Sequence, residues 1–165
     1  MLDNERQQML ALSASERGED VEAMRRFGRV QSGEGAVLLA RFDYAAMLLK
    51  GPQQEHGLVL LQELADYPAQ AAAVSALRDR ANLLLGYFFL QRQRQEDAGR
   101  FLQRVSLSGP YSREALLAQG WVELALRGPE YAMVPWMELL AAGLDDSLAE
   151  EAELAIAAAI ADKGA

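Results

Sequence analysis

The stretch ANLLLGYFFLQRQRQEDAGRFLQRVSLSGP, residues 81–110, carries a spacing that recurs along the chain. Ala98 stands twelve positions after Gly86, Leu102 four beyond Ala98, Val105 three further, and Pro110 follows. A small residue in each of two helices lets them approach closely, and a bulky residue one turn past the second small one fills the gap. This is the pattern of an antiparallel helix hairpin.

A step of 34 residues carries the pattern onward: Gly86 lands on Gly120, Ala98 on Ala132, Leu102 on Trp136 and Val105 on Leu139. The same step links Ala11 to Ala45, Ala23 to Gly57, Phe27 to Leu61 and Val30 to Leu64 in the first half. A fixed period of this length is the mark of stacked helical hairpins. Four copies follow, at 4–37, 38–71, 79–112 and 113–146, with seven inserted residues, AAVSALR (72–78), between the second and third. Breakers divide the two helices of each copy at RGED (17–20), KGPQQ (50–54), QRQ (91–93) and RGPE (127–130). Turns between copies are expected at QSGEG (31–35), DYPAQ (66–70), SGPYS (108–112) and GLDDS (143–147). Ser147 followed by Glu150 reads as a capping box opening a last helix over about 147–162.

Pro68 is expected to end one helix, and the Ala-rich insertion, with no breaker before Gly86, to lengthen the next. Val74, Leu77, Ala81 and Leu84 continue one apolar stripe through it. The prediction is nine helices and no sheet.

Composition bounds the function. A chain of 165 residues buries roughly 70% of its unfolded surface and fits a single domain over 1–165. Cysteine is absent, which excludes disulfides, thiolate nucleophiles and zinc thiolate sites. Twenty-four acidic residues against sixteen basic ones, a net charge of -8, argue against nucleic acid, whose affinity is built from Lys and Arg. Apolar runs such as 81–90 are too short to span a bilayer, so membrane insertion is not expected. The opening MLDNERQQML lacks the basic start and apolar run of a signal peptide. The sole histidine, His56, sits at the start of a second helix, where a solvated role is expected over acid–base work. The acids of DDSLAEEAE (145–153) stand at a helix start and favour capping and dipole roles over metal. No catalytic constellation, cofactor motif or metal site emerges, and the chain is read as no enzyme.

The period, with small residues at positions 8 and 20, an apolar residue at 24 and Pro110 at 32, resembles the tetratricopeptide repeat. Leu85, Gly86, Phe89, Ala98, Leu102 and Pro110 carry the resemblance best; the other copies depart from it, with Ala at the first small site of copies one and two and Glu123 at position 11 of copy four. ALRDRANLLLGYFFL and FLQRVSLSGPYSREALLAQGWVELAL look like the C-terminal part of larger tetratricopeptide proteins of bacterial envelopes. That likeness implies a segment of a longer exported protein in the periplasm or envelope; without it the chain would be cytoplasmic.

The resemblance implies a right-handed superhelix of four hairpins plus a capping helix, all α, binding a peptide or helix of a partner protein on its concave face. In this family positions 2, 5, 9 and 12 of each first helix line that face. They are Leu39, Phe42, Ala46 and Leu49, then Arg80, Leu83, Tyr87 and Leu90, then Glu114, Leu117, Trp121 and Leu124. The expected partner site is Phe42, Arg80, Leu83, Tyr87, Leu117 and Trp121, aromatic anchors of the kind that dominate interfaces. Arg80 would pair with a partner carboxylate or with Glu114. Leu83 and Tyr87 replace the Lys and Asn that chaperone-binding members use, which speaks against a carboxylate clamp. Two alternatives stay open: the aromatics are ordinary core, and the chain is a spacer or self-associating module, a homo-oligomer, without a dedicated ligand.

Overall fold

In the computed structural model, which describes residues 33–68 and 71–164, every regular element is a helix. Seven occur: α1 Gly33–Leu48, α2 Gln54–Ala65, α3 Ala72–Gln91, α4 Gln95–Leu102, α5 Ser112–Leu126, α6 Pro129–Leu140 and α7 Ser147–Gly164. The first expected hairpin, with Ala11, Ala23, Phe27 and Val30, lies largely outside the described residues.

Each short connection has a local cause. After α1 the amides of Lys50 and Gly51 turn back to Met47 O and Leu48 O, and Pro52 has no amide to extend the ladder. α3 ends where Gln93 takes a left-handed φ of 57°, letting the Arg94 amide reach Phe89 O at 3.0 Å. α5 ends at Gly128, φ 103°, a conformation that suits glycine, and Pro129 at the head of α6 gives up an amide that has no helical partner there.

Pro68 follows the last turn of α2, and the insertion 72–78 forms the first turns of α3, a 20-residue helix, as its Ala-rich sequence predicts. Val74 and Ala81 of the expected stripe are buried, Leu77 and Leu84 half-buried.

Two expectations shift. QSGEG is no turn from Gly33 onward, because α1 already begins there, with Glu34 in its first turn accepting a hydrogen bond from the Tyr67 hydroxyl at 2.5 Å. The cap of α7 is Asp146 rather than Ser147: its Oδ1 accepts the Ala149 amide at 3.0 Å, the geometry of an N-cap.

The chain divides into two units, 1–81 and 82–165, the division falling inside α3 just past the insertion. In the first, α1 packs on α2 through Gly57, where a Cβ would lie 2.8 Å from Ala45 O and 3.0 Å from Leu48 Cβ. In the second, α4 packs on α5, α5 on α6, and α7 on both α6 and α5. A Cβ on Gly86 would lie 2.5 Å from Leu102 Cγ, and one on Gly120 would overlap the Trp136 indole. Each first-helix glycine thus receives the bulky residue one turn past the second small site.

The frame positions behave alike in the described copies. Ala45, Leu61, Ala98, Leu102, Ala132, Trp136 and Leu139 are all 0% exposed, and Gly57, Gly86, Gly120, Leu64 and Val105 are buried with them. Trp136 also satisfies its indole N–H, which donates to Leu117 O at 3.1 Å.

Three side-chain hydrogen-bonded pairs, Tyr67–Glu34, Arg113–Asp146 and Lys163–Glu130, each join residues 33 apart. The last ties the end of α7 to the start of α6 and so makes those helices antiparallel. None of the described helices is long and apolar enough to cross a membrane.

Candidate functional site

In the first unit Phe42 is buried at 3% exposure, and the Arg80 guanidinium lies over its ring, 4.5 Å from the centroid. A cation on a ring face is held by the ring quadrupole. Arg80 also faces Asp43, whose carboxyl burial pushes up and whose anion Arg80 partly restores. Phe42 and Asp43 are thus partners that the family positions did not name for this exposed arginine. His56 is half-buried and meets the Tyr44 ring edge-on, with centroids 6.3 Å apart, rather than standing in solvent.

In the second unit Leu83 and Leu117 are core residues, 8% and 3% exposed. Tyr87 and Trp121 are half-buried. Trp121 packs edge-on against Trp136, with centroids 5.1 Å apart, and joins Leu117 in the cluster built by α5, α6 and α7. The Tyr87 hydroxyl donates to Glu114 O at 3.3 Å. Burial raises the pKa of that hydroxyl, and the nearby carboxylates of Glu151 and Glu114 raise it further.

The half-buried Tyr87 hydroxyl on α3 thus bonds to the backbone of α5 and feels the charge of the Glu114 and Glu151 carboxylates, on α5 and α7. The family positions did not name Glu151, because only four copies were framed. It lies 34 residues beyond Leu117, so one more step of the period reaches it.

Neutral phenol and carboxylates accept and donate hydrogen bonds and attract cations; no nucleophile is paired with a base among these residues. No group of three or more His, Asp or Glu among the described residues is arranged to hold a metal ion. In comparisons with known proteins, no family model, no curated protein and no solved structure matches the chain.

Proposed function

We propose that the chain is a non-catalytic scaffold of tetratricopeptide type, its hairpins stacked in a right-handed superhelix, that binds a segment of a partner protein. The observation that carries the reading is the half-buried Tyr87 of α3, whose hydroxyl bonds to Glu114 O of α5 and feels the charge of the Glu114 and Glu151 carboxylates, the latter on α7. An aromatic flanked by acids suits a segment with an apolar side chain next to Arg or Lys. The equal burial of the frame positions supports the repeat reading.

A peptide array graded in Arg and Lys content tests it. Basic, apolar peptides should bind the full chain, and Tyr87→Ala or Glu151→Gln should weaken them about tenfold, roughly 1.4 kcal/mol, with helicity unchanged. Equal binding by wild type and both variants rejects the site.

A second reading, a spacer without a ligand, is favoured by the burial of Phe42, Leu83 and Leu117, three of the six expected contact residues. It stands if no peptide on the array binds.

A further inference from the structure

We propose that a groove between α5, α6 and the 103–111 connection docks an amphipathic helical segment carrying an arginine or lysine. It uses none of the residues of the Tyr87 face and does not rest on that reading.

The groove encloses about 250 Å3. Leu116 and Gln119 of α5 form one wall, Tyr131, Val134 and Glu138 of α6 the other, and Leu107 lies at the connection. Tyr131, Val134 and Glu138 follow helical spacing on one stripe, so that wall is ~10 Å long at ~1.5 Å per residue. Two turns of a third helix match it. Leu107, Tyr131 and Val134 are 63%, 47% and 67% exposed, apolar surface clustered around one depression.

The polar groups around that apolar surface are unbalanced. Pro135 has no amide hydrogen, so the Tyr131 carbonyl four residues back loses its helical donor. Gln119 gives one of its two amide N–H groups to Leu102 O at 3.1 Å, and its side-chain oxygen faces the groove as an acceptor. Glu138 is exposed and forms no ion pair with the described residues. Among the described residues the lining holds one cation, Arg127, which is bonded to Glu123 and lies 4.3 Å over the Tyr131 ring.

Negative charge thus outnumbers positive in the lining, with the carboxylates of Glu123 and Glu138 against the Arg127 guanidinium, and the Tyr131 carbonyl and Glu138 are left to accept. An occupant has to bring hydrogen-bond donors and a positive charge together with apolar side chains. A partner helix with two aliphatic residues a turn apart and an arginine or lysine one turn farther meets all three needs. A second copy of this chain, with its net charge of -8, is poorly matched.

The probe is an alanine-based helical peptide of about 14 residues with that pattern, titrated into the 15N-labelled full chain. The amides of Leu107, Tyr131, Val134 and Glu138 should shift and saturate. Val134→Asn and Glu138→Lys, both at exposed positions, should weaken the probe about tenfold while leaving the rest of the spectrum in place. A peptide with Glu in place of Arg should bind Glu138→Lys better than wild type. The proposal is overturned if the Arg and Glu peptides bind alike, if shifts centre on Tyr87 and Glu114, or if the spectrum stays unchanged at millimolar peptide. It is equally overturned if light scattering shows a dimer and the amides of Leu107, Tyr131, Val134 and Glu138 shift as it is diluted to monomer.

Discussion

Gly120 has no side chain, and the Trp136 indole occupies the space where one would be. A methyl group there has to displace a fully buried ring whose N–H is already bonded to Leu117 O. Gly120→Ala should therefore destabilise by about 1–3 kcal/mol, the cost of overpacking a filled core. Gly57→Ala meets the backbone oxygen of Ala45 at 2.8 Å and should cost a similar amount, because a carbonyl inside a helix cannot rotate away. Gly35 is the control: it sits in α1, and none of the described residues comes within 4 Å of its added Cβ. Gly35→Ala should stabilise by about 0.5–1 kcal/mol through helix propensity alone. Urea unfolding of the three variants checks the order, and equal effects at all three would refute the packing argument. Phe42 shows the opposite limit of a residue-level reading. Its place on a first helix was legible, but the cation that covers it comes from Arg80, 38 positions on, along a helix lengthened by the insertion.

At the scale of the element, α7 depends on Asp146. Its carboxylate caps the helix through the Ala149 amide and binds Arg113, with Nη2 at 3.0 Å from Oδ1. The Arg113 bond comes first and the helix amides second in holding its pKa down, from 3.8 to about 2. A depressed carboxyl contributes stability that is present above its unfolded pKa and lost as pH falls through the folded one. Asp146→Asn keeps a capping oxygen but loses the charge. The variant should be less stable than wild type at neutral pH, and the gap should close between about pH 3.8 and pH 2. Urea midpoints across that range test it; a gap that persists to pH 2 would show that Asp146 acts by shape and not by charge. The boundaries of the helices were largely legible, since Gly51, Pro52, Gly128 and Pro129 disrupt a ladder wherever they fall. Ser147 and Glu150 form a local pattern one residue past the cap, whereas Asp146 is held by Arg113, 33 residues away, a pairing that no local pattern contains. The start of α1 was missed for the same reason, with Tyr67 as the distant partner.

Across the molecule, one period organises the core, and it is the feature most plainly written in the sequence. Its small and bulky sites are buried alike at Ala45, Gly57 and Leu61, at Gly86, Ala98 and Leu102, and at Gly120, Ala132 and Trp136. Which first-helix side chains stay exposed was not legible, because such a residue is surface or core according to what a later element lays over it. Leu117 is covered within the cluster of α5, α6 and α7, whereas the same step from it brings Glu151 into the open. The register, and not composition, sets these contacts. Nuclear Overhauser effects in the full chain measure it directly. Cross-peaks are expected from Gly57 Hα to the Leu48 side chain, from Gly86 Hα to the Leu102 methyls, and from Gly120 Hα to the Trp136 indole. Cross-peaks from Gly86 or Gly120 to other side chains, with none to Leu102 or Trp136, would contradict it.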